Sequence, residues 1–301
     1  MITDSKITEI FYLVDEFSKN FTTILNSSSI SDGNKPHRNK PSKLSDAEVM
    51  MILLIFHFGG FRCFKHYYIN YIQTYRKDLF PQTVSYNRFV ELESKIAIMM
   101  GIFIKDCLLA ECTGISFIDS TPISVCKTQR IHCHKTFSGL AARGKCSMGW
   151  FFGFKLHLII NERGEILNFM ITPGNVDDRE PLQSTEFVDK IYGKLVGDRG
   201  YISKTLFENL FIDGIQLVTK IKSNMKNVPT SIIDKILIRK RSLIESVNDE
   251  LKNITQIEHS RHRSVTNFLS NTFAAIIAYC FFDKKPSLNI EFEDDNQLTL
   301  F

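Results

Sequence analysis

Apolar positions over the first hundred residues recur at helical spacing. Residues 7–25 carry a mixed apolar face. Residues 44–58 are almost continuously apolar and open on Leu44-Ser45-Asp46-Ala47-Glu48. Ser45 and Glu48 stand at the capping-box spacing, which predicts a helix start there, and Gly59-Gly60 predicts its stop. Two more helices are predicted over about 65–75 and, after Pro81, over 85–100. The polar stretch 27–43 contains Gly33, Pro36 and Pro41 and reads as a linker.

From Ile115 the texture changes to short β runs. Residues 115–118 predict a strand ending at Asp119. Residues 150–160 and 165–172 flank Asn161-Glu162-Arg163-Gly164, a hairpin pattern. A helix is predicted over about 179–191, a strand over 194–197 ending at Asp198, a helix over 203–211 and a strand over 215–221. Helices return over 232–255 and 264–282. The fold class expected is α/β, a mixed sheet flanked by helices behind an all-helical N-terminal domain. The boundaries are residues 1–110, 111–285 and an acidic tail over 286–301.

A chain of 301 residues with 44% hydrophobic and 23% charged positions can bury a sizeable core. The net charge of +4 permits a nucleic-acid partner without requiring one. Seven cysteines without a CxxC pair imply no disulfide framework and fit a reducing cytoplasm. The N-terminus lacks the basic and apolar pattern of a signal peptide, and no apolar run is long enough to span a bilayer, so no membrane partner is expected.

Three acids carry the candidate chemistry. Open α/β sheets place ligands beyond the carboxyl ends of their strands, so Asp119 and Asp198 can share one crevice. Each aspartate taken alone also reads as a cap for the turn that follows it. Glu245 lies on a helix where Arg241, Glu245, Asn248 and Lys252 fall within an arc of roughly 60°, beside the apolar stripe Leu243, Ile244, Val247 and Leu251. The alternative there is a solvated face with ordinary pairing of Arg241 and Glu245. Together, three carboxylates suit hard divalent cations, and two ions about 3.5–4 Å apart stabilise both oxygens of a phosphoryl displacement.

These residues resemble the DDE transposases of bacterial insertion sequences, and within them the insertion-sequence 982 branch. Arg241, Glu245 and Lys252 match the Tyr-x2-Arg-x3-Glu-x6-Lys signature of related transposases, with Ile238 at the Tyr position. The blocks His134-Lys135-Thr136-Phe137, Gly144 through His157, Ile257-Glu258-His259-Ser260-Arg261-His262-Arg263-Ser264 and Val84-Ser85-Tyr86-Asn87-Arg88-Phe89 carry the same resemblance, which covers about residues 44–282. It implies an RNase H-like catalytic domain. Asp119, Asp198 and Glu245 are then catalytic and hold two Mg²⁺ or Mn²⁺ ions. The implied reaction cuts transposon ends and joins the freed 3′-hydroxyl to target DNA. The implied partners are double-stranded terminal repeats, target DNA and a second copy of the chain, in the bacterial cytoplasm at the nucleoid. The 47-residue spacing from Asp198 to Glu245 has no room for a large β-rich insertion. The alternatives are a stand-alone metal-dependent nuclease and a domesticated DNA-binding protein without chemistry.

The candidate DNA contacts are Arg143, Lys145, Arg241, Lys252, His259, Arg261, His262 and Arg263. The last four form a cationic cluster at a helix start, which is unfavourable for the dipole unless an anion binds. The segment from Gly139 to Cys146 falls short of a phosphate-binding loop. It lacks the Ser or Thr after Lys145 and a preceding strand, so no nucleotide cofactor is expected, only a basic glycine-rich loop. Cys126, His132, Cys133, His134 and Cys146 fit no standard zinc spacing. Trp150 reads as a half-buried strand residue, with the alternative that it stacks on a flipped base at the element's end, as an aromatic does in some transposases. Residues 44–100 offer a loose helix-turn-helix pattern, with an all-helical dimerisation unit as the alternative.

Overall fold

The computed structural model describes residues 2–28, 42–147, 149–220, 231–258 and 262–288. Helices α1 (Asp4–Ser28) and α2 (Asp46–Phe58) come first. The capping box forms as its spacing predicts. The Ser45 N–H donates to Glu48 Oε2 at 2.7 Å, and the Glu48 N–H donates to Ser45 Oγ at 3.2 Å. Every residue from Val49 to His57 is buried, so α2 is a central core helix with no solvent face to offer a DNA groove. Then come α3 (Phe64–His66), a π-helical turn (Tyr67–Ile72), α4 (Gln73–Tyr75) and α5 (Tyr86–Phe103), which Ser85 caps.

The sheet begins with β1 (Ile115–Cys126), followed by β2 (Ala142–Cys146), β3 (Gly149–Asn161) and β4 (Ile166–Pro173). Next come α6 (Thr185–Val188), β5 (Gly193–Gly197), α7 (Lys204–Ile212) and β6 (Ile215–Thr219). Helices α8 (Ile232–Lys240), α9 (Ser242–Asn253) and α10 (Val265–Cys280) complete the described elements. The strand order is β2-β3-β1-β5-β6, and β4 also pairs with β3. Strand β3 runs antiparallel to both β1 and β4, whereas β1, β5 and β6 run parallel. This is the mixed, RNase H-like sheet that the resemblance implies.

Four expectations about elements need correction. Strand β1 does not end at Asp119, because the long β3 pairs with it well past that point, with Asp119 opposite Leu158 and Ser124 opposite Gly153. The helix expected over 179–191 shrinks to a 3-10 turn (Pro181–Gln183) and the short α6. The extended backbone at Ser184 and Asp189 bounds α6. The single helix over 232–255 breaks at Arg241, which lets α8 pack on β5 and β6 while α9 crosses β1. The basic loop around Arg143 and Lys145 is strand β2, paired with β3.

Strand alternation sorts the interior into two cores. Phe117, Leu156, Leu158, Val196 and Val218 point to one face, where they meet α9, α10, α2 and α5. Ile118, Ile159, Leu195 and Leu217 point to the other, against α6 and α7. The first core runs without a break into the N-terminal helices, since α10 packs on both α2 and α5.

Candidate active site

The last rung that joins β1 to β5 is Phe117 opposite Val196. Two residues further along the chain stand Asp119, still on β1, and Asp198, just past the end of β5. They keep the parity of Phe117 and Val196 and so lie on the α9 face of the sheet. Helix α9 is held on that face by Leu243, Ile244, Val247 and Leu251, all buried. Its polar edge therefore runs along the same crevice. Asn248 Nδ2 donates to Asp119 Oδ2 at 3.1 Å. Arg241 lies with Nη1 4.0 Å from Asp119 Oδ1, and its Nη2 pairs with Glu245. Asp198 Oδ1 accepts the Gly200 N–H at 2.6 Å, so it also caps the turn Arg199–Tyr201.

Burial pushes the Asp119 carboxyl up to about 6, with the Asp198 and Glu245 carboxylates adding to the rise. The Arg241 guanidinium and the Ser120 N–H pull it the other way. All three predicted acids thus share one electrostatic neighbourhood. Arg241 sits inside it and supplies the positive charge between Asp119 and Glu245. Among the described residues, no three carboxylate, His or Cys groups stand together as a ready metal cluster. The chemistry of the donors nevertheless fits a hard divalent cation: oxygen ligands throughout, with the Asn248 Oδ1 buried beside Asp119 and without a hydrogen-bond partner.

The basic candidates separate. Arg143 and Lys145 are exposed on β2, and Lys145 pairs across the strands with Trp150. The Arg143 guanidinium lies 4.6 Å from the Trp150 ring centre, and the Lys145 ammonium 5.8 Å from it. Trp150 is 56% exposed, more open than the half-buried reading expects. Gly144 follows from packing rather than phosphate binding, because a Cβ there would stand 2.1 Å from the Gly174 carbonyl oxygen. Lys252 pairs with Glu258 at 3.6 Å, and Glu258 also accepts the Ser124 N–H at 2.9 Å. His262 packs edge-on against Phe268, and burial pushes it down to about 4. Arg263 is exposed. His259 and Arg261 lie outside the described residues.

The sequence reading missed a second polar group behind the acids. Asp178 Oδ1 accepts from Ser120 Oγ and from Lys155 Nζ, both at 2.8 Å. Lys155 also donates to the Val176 carbonyl at 2.8 Å. The Tyr201 hydroxyl is buried without a partner, within electrostatic reach of Asp119, Asp178 and Asp198. The available signal was Asp177-Asp178, which follows the turn residues Pro173-Gly174-Asn175 at the end of β4.

The sequence model of one family, the transposase DDE domain, matches residues 109–265, just over half of the chain and a span containing all three acids. No curated protein matches the chain. Among solved structures, the piggyBac transposase synaptic complex with hairpin DNA aligns at 12% identity and a TM-score of 0.40, over 73% of this chain and 50% of that one. This chain thus spans about half the length of that relative. The Mos1 transposase paired-end complex with left transposon end aligns at 12% identity and a TM-score of 0.23, over 66% of this chain and 65% of that one. The Mos1 strand transfer complex aligns at 10% identity and a TM-score of 0.23, over 88% and 86%.

Proposed function

The chain belongs to the transposase DDE domain family, and on that premise we propose that it is the DNA transposase of a bacterial insertion sequence, of the 982 branch. It cuts the ends of its element and joins the freed 3′-hydroxyls to target DNA. The observation that carries this reading is the placement of Asp119 on β1 and Asp198 just past the end of its parallel neighbour β5, each two residues beyond their last shared rung, beside the helix that carries Glu245. Asp119, Asp198 and Glu245 would hold Mg²⁺ or Mn²⁺, two ions in the full complex. When bound, such cations activate the attacking oxygen and stabilise the leaving oxygen of the scissile phosphate.

The chain's own residues supply the remaining work. Asn248 fixes the orientation of Asp119 by its amide donor. Arg241 balances the acids and can turn its remaining N–H donors toward a phosphate at the same crevice. Arg143, Lys145 and Arg263 offer exposed cations for the DNA backbone, and Trp150 offers an aromatic face between two of them. Two copies of the chain, one at each end of the element, complete the reading.

The test incubates the full chain with labelled DNA from the flanks of its coding region, a target plasmid and Mg²⁺ or Mn²⁺. Wild type cleaves and joins, whereas Asp119→Asn binds the same DNA and does neither. Cleavage by Asp119→Asn at the wild-type rate overturns the reading. Cleavage without joining in the wild type favours the stand-alone nuclease.

A further inference from the structure

The carboxylate of Asp119 lies within electrostatic reach of the next N–H of its own strand. The Ser120 N–H faces it, and the Ser120 side chain points through the sheet to the opposite face, as alternation along β1 requires. There Ser120 Oγ donates to Asp178 Oδ1, and the same oxygen takes the Lys155 ammonium. Lys155 is itself anchored on the Val176 carbonyl, and its side chain is only 13% exposed. Lys155 stands on β3 opposite Pro122, two residues beyond Ser120 on β1. The cluster therefore ties β1, β3 and the loop after β4 together at the level of Asp119. An exposed surface ion pair has no need of a strand hydroxyl as a third member. Here the hydroxyl belongs to the residue whose N–H faces the candidate catalytic acid.

We propose that Asp178, anchored by Lys155, is a positioning residue that acts through Ser120 to hold the Asp119 carboxylate in the orientation needed to bind a divalent cation. This rests on the reading of Asp119 as a metal ligand. Partners that orient a ligating carboxylate change metal affinity by about 10- to 100-fold when they are removed. They do so without touching the metal, the DNA or the reacting phosphate.

The experiment titrates Mn²⁺ alone into the full chain, followed by electron paramagnetic resonance, and measures nicking of a supercoiled plasmid and the melting temperature in parallel. Ser120→Ala and Asp178→Asn preserve size, and each is expected to weaken Mn²⁺ binding by about 10-fold or more. Ser120→Thr retains the hydroxyl and restores binding. The double variant is no weaker than the weaker single variant, because both substitutions cut one link. Wild-type Mn²⁺ affinity in both single variants, or losses that multiply in the double, overturns the positioning role. Asp119→Asn is the control for the underlying reading. If it binds Mn²⁺ as wild type does, the site assignment fails. If it loses Mn²⁺ while the two positioning variants keep it, only the present proposal fails.

Discussion

Asn248 on α9 and Asp119 on β1 meet through a 3.1 Å hydrogen bond between residues 129 positions apart. The bond joins the polar edge of α9 to β1 beside the apolar stripe that packs the helix on the sheet. Asn248 is 7% exposed, and its other amide atom, Oδ1, is buried without a partner. A side chain that leaves one polar atom unsatisfied to aim the other at a carboxylate costs stability for the sake of geometry.

Removing that donor is expected to cost more than its size suggests. Asn248→Ala leaves a largely buried carboxylate short of a partner and should lower stability by about 1–3 kcal/mol in urea denaturation. Asn248→Asp places a like charge beside Asp119. It should be the less stable of the two in EDTA and should recover with Mn²⁺. Failure of Mn²⁺ to stabilise Asn248→Asp would count against cation binding at this crevice.

Arg241 yields a prediction of opposite signs for two ligands. Its guanidinium lies among the acids and repels any cation that approaches them. Arg241→Gln should therefore bind Mn²⁺ more tightly in the absence of DNA. The same variant should bind DNA more weakly, with the slope of log K against log salt reduced by about 0.9 for one lost phosphate contact. Calorimetry with Mn²⁺ and filter binding across a salt series check the two halves separately.

Most of the site's framework was legible because strand and cap chemistry is local. Ser45 with Glu48, the turn after Asn161 and the strand before Asp198 each announce themselves within a few residues. What the sequence hid depends on partners far along the chain. Strand β1 continues past Asp119 only because β3 is long enough to pair there. His262 reads as a cation beside Arg261 and Arg263 until Phe268 and the surrounding core desolvate it. Asp178 reads as part of a polar loop until Ser120 and Lys155 are folded against it. Gly144 imitates a phosphate loop for a reason visible only where the chain passes Gly174.

The hairpin face of Arg143, Lys145 and Trp150 should separate charge from stacking. Arg143→Ala and Lys145→Ala should each lower the salt slope of DNA binding by about 0.9 if each meets a phosphate. Trp150→Ala should leave that slope nearly unchanged, since the ring carries no charge. It should weaken binding to single-stranded DNA more than to duplex, by about 1–3 kcal/mol for one stacked base. Equal losses on single-stranded and duplex DNA would show that the ring does not stack on a base.

Glu93 gives the pH dependence of the fold a definite direction. It lies on α5, faces α10 and is 6% exposed. Its side-chain partner is the Asn267 amide, Nδ2 to Oε2 at 3.4 Å, and the Tyr86 phenol lies near it. Burial pushes its carboxyl up to about 8 from an ordinary 4.5. Below the ordinary value both folded and unfolded chains hold the proton, and Glu93 costs nothing. Between the two values the unfolded chain releases a proton that the folded chain keeps, so stability falls as pH rises and levels off above the folded value. At pH 7 the penalty is about 3 kcal/mol, from 1.36 kcal/mol per pKa unit. Glu93→Gln keeps the shape and removes the titration, so it should equal wild type near pH 4 and exceed it by this amount at pH 7. His57 and His157, pushed down to about 4 by burial, act in the opposite sense, weakening the fold as pH falls below their ordinary value. They are common to both chains and cancel in the difference. Urea denaturation of the pair from pH 4 to pH 8 measures that difference directly, and a flat difference would show that Glu93 titrates alike in the folded and unfolded chains, so that burial does not raise it.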